Sequence, residues 1–147
     1  MKTVIPAIRL TSGASMPCLG FGTGTAWFKG CKGEQQLTTC LHSALDLGLL
    51  HIDEAEMYEN EISTGAALAS WLAKGAKTRE DVFITSKILV GIEGGIETRC
   101  RQTLAALGVE HLDLYLLHAP FNHDGTPFER AGELLSLEQV LFPRLAL

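Results

Sequence analysis

The sequence predicts an α/β protein built on part of a (β/α)8 TIM barrel: an N-terminal β-hairpin and the first four βα units of a truncated barrel. Short apolar runs of strand length alternate with segments of helical period, which is typical of parallel strands joined by helical crossovers. Asp53, Lys87 and His118 each stand at the end of such a run, and a barrel places its functional residues at the carboxyl ends of its strands. The competing doubly wound fold is disfavoured because no GxGxxG opens a helix.

The first predicted elements are a hairpin and a short strand. Residues 3–18 contain two apolar segments around Ser12-Gly13, a dipeptide that tolerates the positive φ of a tight turn. Pro6 and Pro17 favour edge positions because proline cannot donate a ladder hydrogen bond. Residues 19–22 predict the first barrel strand, which runs into a glycine-rich loop.

Three helices alternate with three further strands after that loop. A helical period runs from Glu34 to Gly48, a less regular one covers residues 60–73, and a third carries an apolar stripe that ends at Leu107. Glycine follows each helix, where a C-terminal stop is expected. The predicted strands are the apolar runs at 49–53, 82–86 and 112–117.

Composition and charge exclude several classes of function. The 147-residue chain has a net charge of −5 and spreads its Lys and Arg along its length, so it lacks the basic stripe of a nucleic-acid-binding protein. No apolar run approaches the ~20 residues of a membrane helix, and residues 1–10 lack the long apolar core expected of a secretory signal. The four cysteines form neither a CxxC pair nor a dense disulfide framework, which predicts a cytoplasmic protein.

The residues at the strand ends predict a proton-donating set. Tyrosine is a weak acid with an unperturbed pKa of about 10, and it becomes useful near neutrality when a cation favours its phenolate. Lys87 is that cation for Tyr58, and Asp53 holds the charge on the lysine. His118 orients a substrate oxygen while Tyr58 delivers the proton. Because no side chain donates hydride, reduction would need a nicotinamide or flavin cofactor.

Each of these residues also has an ordinary structural interpretation. Lys87 fits a solvated strand end and Tyr58 a surface aromatic residue. His118 fits a hydrogen-bonded structural histidine, and Asp53 fits a helix N-cap. The functional interpretation depends on all four standing at successive strand ends in one topology.

A metal site is an alternative use of the same region. The candidate ligands are His51, Asp53, Glu54, Glu56, His118 and His123. This is the weaker hypothesis, because a hydrolase-type metal centre needs three converging ligands and the sequence has neither HxH nor HExxH.

Four segments resemble the N-terminal half of the aldo-keto reductase family. They are LGFGTGTAW at the first strand and its loop, GLLHIDEAEMYENEISTG at the family's first signature, VFITSK at the third strand, and LAALGVEHLDLYLLHAPF around the fourth. The resemblance covers about residues 4–121. The resemblance implies a barrel that reduces aldehydes or ketones with NADPH, with Tyr58 as proton donor, Lys87 and Asp53 as the pair that tunes it, and His118 as the residue that orients the carbonyl.

The resemblance also implies where the cofactor and the small-molecule carbonyl substrate bind. Gly22, Thr23 and Asp53 match positions beside the nicotinamide ribose. Trp27 matches the loop that walls the substrate pocket, although simple packing explains it equally well. In the family, most phosphate and adenine contacts come from the second half of the barrel.

The sequence departs from the family pattern beside the site. Leu49 and Leu50 stand where the signature usually has an aromatic residue and an arginine, and Glu54 replaces a small residue. If the Glu54 side chain turns inward, its charge is expected to raise the pKa of Asp53 and to weaken its hold on Lys87.

The end of the chain departs further. Residues 1–123 are expected to be the N-terminal half of a barrel and residues 124–147 a divergent, partly helical tail. Because a complete barrel takes about 250 residues, an alternative function is a truncated, non-catalytic fragment or variant with an incomplete cofactor site, at most an interaction module. Unpaired edges on the first and fourth strands are expected to favour self-association.

Overall fold

The predicted hairpin forms at the start of the described chain. In a computed structural model that describes residues 5–28, 33–89 and 95–119, β1 (Ala7–Arg9) pairs antiparallel with β2 (Ser15–Pro17). Gly13 takes a φ of 86° in the turn between them, which glycine adopts without a steric penalty.

Four parallel strands follow and form one sheet in chain order. They are β3 (Phe21–Gly22), β4 (His51–Asp53), β5 (Phe83–Ile88) and β6 (Leu114–Leu117). Strands that are consecutive in the chain are neighbours in space, without the reversal of order that marks a doubly wound sheet. The prediction of a partial α/β barrel is confirmed.

The helices lie close to their predicted positions. They are α1 (Glu34–Asp46), α2 (Glu61–Leu72) and α3 (Gly95–Leu107), with 3-10 helices at Glu56–Tyr58 and Arg79–Asp81. The predicted stops Gly48, Gly75 and Gly108 all have positive φ, at 91°, 76° and 65°, as helix-terminating glycines do. The sequence therefore predicts the helix boundaries to within a few residues.

The strand boundaries differ more. Pairing of β5 with β6 continues to Ile88, opposite Leu117, so β5 extends past the predicted end at Ser86. Lys87 therefore lies inside the strand, in register with Leu116 of β6. The predicted tail 124–147 lies outside the described residues.

The apolar core lies between the sheet and the helices. Its buried members include Leu41, Leu45, Ile52, Leu68, Trp71, Ile84 and Leu107. Because side chains alternate across a strand, burying Ile52 against the helices turns Asp53 to the other face of the sheet. By the same alternation, Ile88 points to the helices and Lys87 points away from them. Asp53 and Lys87 therefore lie on the inner face of the sheet, which is the face opposite the helices.

Candidate active site

Asp53, Lys87 and Tyr58 meet at the carboxyl edge of the sheet. Lys87 Nζ lies 2.9 Å from both carboxylate oxygens of Asp53 and 3.2 Å from Tyr58 Oη. It also donates to the main-chain oxygen of Glu54 at 2.9 Å. The three donors of the ammonium group are thus matched by three partners, and the lysine side chain is only 13% exposed.

Tyr58 is positioned by the short helix Glu56–Tyr58, which is itself held by hydrogen bonds to the side chain of Glu56. Glu56 Oε1 accepts a hydrogen bond from the backbone N–H of Leu89 at 3.0 Å. Its other oxygen accepts from Arg99 Nε of α3, also at 3.0 Å. The helix that carries the phenol is therefore tied to both the end of β5 and α3.

His118 completes the set directly after β6. Its backbone N–H donates to Ile88 O at 2.9 Å, and its ring packs edge-on against the ring of Tyr58 with centroids 5.6 Å apart. Burial, followed by the nearby Lys87 cation, lowers the pKa of His118. A neutral imidazole offers one N–H donor at pH 7, which suits a residue that orients an oxygen.

The structure thus brings all four predicted catalytic residues to one place. Their roles stay predictions, but the distances among them are those of direct hydrogen bonds and ring contact. The ordinary interpretations of Lys87 as a solvated strand end and of Asp53 as a helix N-cap do not describe these contacts.

Gly20 and Gly24, on either side of β3, were missed as part of the site, whereas Gly22 was predicted to lie beside the cofactor. A Cβ on Gly20 would lie 3.1 Å from the His51 ring, one on Gly22 4.0 Å from Asp53 Oδ2, and one on Gly24 only 2.5 Å from Tyr58 Cζ. The signal was present in the sequence, because a period of two marks one face of a strand. Because Gly20, Gly22 and Gly24 carry no side chains, this face of the chain leaves room for the side chains of His51, Asp53 and Tyr58.

Thr23 and Glu54 face away from the catalytic set. Both are fully buried, and the Thr23 hydroxyl donates to Glu54 Oε2. Thr64 of α2 donates to the same oxygen at 3.0 Å. The inward turn of Glu54 considered from the sequence does not occur, because strand alternation directs its side chain toward the helices.

Burial makes the Glu54 carboxyl group a weaker acid than usual. Desolvation raises its pKa to about 7, against the hydrogen bonds from Thr23 and Thr64, which act to lower it. The Thr23 hydroxyl is occupied by this carboxyl group, and the backbone N–H and oxygen of Thr23 are paired with Asp53 O and Asn60 Nδ2, each at 3.1 Å. A contact of Thr23 with a nicotinamide ribose stays a prediction.

Trp27 lies at the far end of the loop that follows β3. Its ring stands 5.5 Å from that of Phe21, and its main-chain oxygen accepts from Asn60 Nδ2 at 3.2 Å. The Phe21 contact is a packing contact, and a role for Trp27 in the substrate pocket stays a prediction.

The described residues contain no group of three His, Cys, Asp or Glu side chains arranged to hold a metal ion. His51 instead contacts Thr85 Oγ1 at 2.9 Å and Pro17 O at 3.2 Å, one through each ring nitrogen. His123 lies outside the described residues. Within the same part of the chain, no helix is long and apolar enough to cross a membrane.

Comparison with known proteins matches the geometry to one family. The model of the aldo/keto reductase family matches residues 18–139. An aldo-keto reductase of Bombyx mori is 30% identical over 122 residues, and an NAD/NADP-dependent indole-3-acetaldehyde reductase of Schizosaccharomyces pombe is 39% identical over 110 residues. These alignments cover 82% and 74% of this chain, but 40% and 37% of the relatives.

A solved structure shares the fold. The crystal structure of the Bombyx mori aldo-keto reductase in complex with NADP superimposes with a TM-score of 0.72 at 29% sequence identity. The match covers 86% of this chain and 42% of the other. The chain therefore spans about two fifths of the length of the proteins it resembles.

Proposed function

The chain belongs to the aldo/keto reductase family, and we propose that it reduces an aldehyde or ketone to an alcohol with NADPH, using Tyr58 as the proton donor. The observation that carries this proposal is the continuous contact from Asp53 through Lys87 to the Tyr58 hydroxyl, at 2.9 and 3.2 Å. A phenol backed by a paired ammonium group is suited to releasing a proton to a carbonyl oxygen.

The proposed chemistry follows the charge on the carbonyl oxygen. When bound, the nicotinamide cofactor supplies the hydride that reduces the carbonyl carbon. Negative charge develops on the oxygen, and the Tyr58 hydroxyl transfers its proton there. The resulting phenolate is stabilised by Lys87 Nζ, 3.2 Å away, while Asp53 balances the lysine charge.

His118 is proposed to orient the carbonyl before proton transfer. Its ring contacts the Tyr58 ring, so an oxygen within reach of the phenol is also near the imidazole. Because burial lowers its pKa, the ring is neutral at pH 7 and would donate one hydrogen bond without competing for the proton.

The residues beside β3 fit the nicotinamide end of the cofactor. Gly22 has no side chain and leaves Asp53 39% exposed at the mouth of the sheet. Gly22, Thr23 and the Asp53 carboxylate would hold this end, since a carboxylate accepts hydrogen bonds from ribose hydroxyls. Trp27 is proposed to wall the adjoining substrate pocket.

The test compares the two tyrosines of the chain. The 147-residue protein is mixed with NADPH and a panel of aldehydes and ketones, and NADPH loss is followed by absorbance. Tyr58→Phe is expected to lower the rate about a hundredfold to ten-thousandfold, the usual contribution of a general acid. Tyr115→Phe, a change in β6 outside the proposed machinery, is expected to leave it unchanged.

NADPH binding is measured separately by titration. Binding with turnover that depends on Tyr58 supports the proposal. Binding without turnover across the panel supports the alternative of a non-catalytic member, and failure to bind contradicts both the cofactor assignment and the reduction.

We also propose a cytoplasmic protein that self-associates through its sheet edges. Cys18, Cys40 and Cys100 are free thiols, which supports a reducing compartment. Among the described residues, β3 pairs only with β4 and β6 only with β5. Unpaired strand edges are templates for pairing with another chain.

A further inference from the structure

A buried polar cluster lies behind the catalytic residues, between the ends of β3 and β4 and the start of α2. We call Thr23, Glu54, Asn60 and Thr64 the Glu54 cluster; none of the four is more than 4% exposed. Glu54 Oε2 accepts from both threonine hydroxyls. Its other oxygen, Oε1, is buried and has no hydrogen-bond partner in the described part of the chain.

The Glu54 cluster fastens both ends of the loop from Thr23 to Trp27. At the first end, Thr23 is held by Glu54 through its hydroxyl and by Asn60 Nδ2 through its main-chain oxygen at 3.1 Å. At the other end, Asn60 Nδ2 also reaches Trp27 O at 3.2 Å. Between these points stands Gly24, against which the Tyr58 ring packs.

We propose that Glu54 is a positioning residue: its protonated carboxyl group holds the 23–27 loop against Tyr58, and its ionisation loosens that loop. The charged form would place a carboxylate among buried groups with one oxygen unpaired, which costs more than burying the neutral acid. Outward movement of Thr23 and the loop would admit water to that oxygen. The importance of the loop for reduction depends on the proposed function, whereas its response to Glu54 does not.

The groups around Glu54 set the pH at which this response occurs. Thr23 faces it from the end of β3, and Glu61 and Thr64 face it from α2. Asp53 adjoins it on β4, and Lys87 of β5 contacts its main-chain oxygen. Burial dominates and raises the pKa of Glu54 to about 7, with the Glu61 charge acting in the same direction.

The fluorescence of Trp27 reports the loop directly. The chain has two tryptophans, and Trp71 lies in the core with its indole N–H donated to Asp46. Acrylamide quenching of the fluorescence is measured across neutral pH for the unaltered protein and for Trp27→Phe. The difference between the two gives the quenching of Trp27. This quenching is expected to increase with pH around a midpoint of about 7, with most of the change falling within about one unit on either side.

Two variants assign the transition to Glu54. Glu54→Gln keeps the shape and an acceptor for Thr23 but cannot ionise, so Trp27 quenching is expected to stay low and flat. Thr64→Val removes a hydroxyl that favours the carboxylate without touching the loop, so the midpoint is expected to move to higher pH. Circular dichroism confirms that each variant is folded.

The outcomes separate this proposal from the proposed function, because no cofactor or substrate is used. A pH transition that persists in Glu54→Gln would assign it to another group, such as a histidine or Glu61, whose pKa burial also raises, and would overturn the proposal. Quenching of Trp27 that does not change with pH in the unaltered protein would also overturn it.

Discussion

Lys87 has the most constrained environment of the four proposed catalytic residues. Its ammonium contacts a carboxylate, a main-chain oxygen and a phenol, and these partners leave it no free donor. Only the phenol among them can lose a proton to a substrate and become a better partner for the cation. The arrangement therefore supports the proposal that Tyr58 transfers its proton to a carbonyl oxygen.

Gly24 keeps Tyr58 in that arrangement. In Gly24→Ala the new methyl group would stand 2.5 Å from Tyr58 Cζ, and the ring is expected to swing away from Lys87 because it is the movable partner. Ring resonances of Tyr58, assigned by comparison with Tyr58→Phe, are expected to shift while those of Tyr115 stay in place.

Gly22→Ala, at the end of β3 two residues before Gly24, is the matched control. Its methyl group would lie 4.0 Å from Asp53 Oδ2, an ordinary contact distance, so the Tyr58 resonances are expected to be unchanged. An equal shift in both variants would contradict a specific contact between Gly24 and the phenol.

Glu54 makes the stability of the fold depend on pH. Its pKa is raised from 4.5 to about 7 in the folded protein, so the folded state binds the proton more tightly than the unfolded state. The free energy of unfolding is therefore expected to fall by about 3 kcal/mol between the two values and to level off above them. Denaturant unfolding across this range is the measurement.

The contribution of Glu54 is isolated by difference. Other carboxyl groups and histidines titrate in the same window, so the unfolding free energy of Glu54→Gln is subtracted at each pH. A difference that is independent of pH would contradict the assignment.

At the scale of elements, α2 packs closely against the end of α3. A Cβ on Gly65 would overlap the main-chain carbonyl of Leu107, and this carbonyl cannot move without moving α3. The glycine therefore sets how near the two helices lie. This contact in turn places the start of β6, which leads to His118.

Gly65→Ala is expected to destabilise the protein by about 1–3 kcal/mol, because overpacking outweighs the better helix propensity of alanine. Thermal or denaturant unfolding measures the change. Ala66→Gly, at an exposed neighbouring position of α2, reports the propensity effect alone, which is about 1 kcal/mol. A gain in stability from Gly65→Ala would show that the helices separate freely.

The entry to β5 and β6 is held by an ion pair. Arg79 Nη2 lies 2.8 Å from Asp113 Oδ2, which also accepts from the backbone of Ile84 at 2.9 Å. Arg79 further donates to the main-chain oxygens of Val82 and His111. The two strands thus begin at a shared polar junction.

Arg79→Met is expected to cost about 2 kcal/mol of unfolding free energy, since it leaves the largely buried Asp113 carboxylate without its cation. Lys77→Met is the control, because it removes an exposed pair with Asp81 worth about 0.3–0.5 kcal/mol. Equal effects of the two changes in denaturant unfolding would contradict a special role for the junction.

At the scale of the whole molecule, the sheet formed by the described residues has two outer strands, β3 and β6. Leu116 of β6 is 37% exposed, so apolar surface accompanies the strand edge. Leu116→Lys is expected to reduce self-association, because charge on an edge strand opposes pairing with another chain. Light scattering over a concentration series measures the effect.

Ile62→Lys provides the same change of charge elsewhere. Ile62 lies on α2, not on an outer strand, and is 73% exposed. Ile62→Lys is therefore expected to leave the self-association of the protein unchanged. A monomer at all concentrations in the unaltered protein would contradict the proposed self-association.

The sequence by itself determined the order of elements, the helix boundaries and the residues at the strand ends. The spacing of apolar residues within a segment reflects whether it is a helix or a strand and which of its faces is buried, and this spacing can be seen within the segment alone. The position of Asp53 after one apolar run and of Lys87 near the end of another followed from it. Parallel pairing then required both side chains to lie near the same edge.

Only the tertiary structure decided which neighbours these residues have. That Glu54 turns toward Thr64, that Gly24 faces Tyr58 and that Gly65 meets Leu107 depends on segments brought together from different elements. Because the interior is closely packed, the space available to each side chain is determined by the residues around it in the folded protein. That space is a property of the assembled fold, so local patterns in the sequence do not contain it.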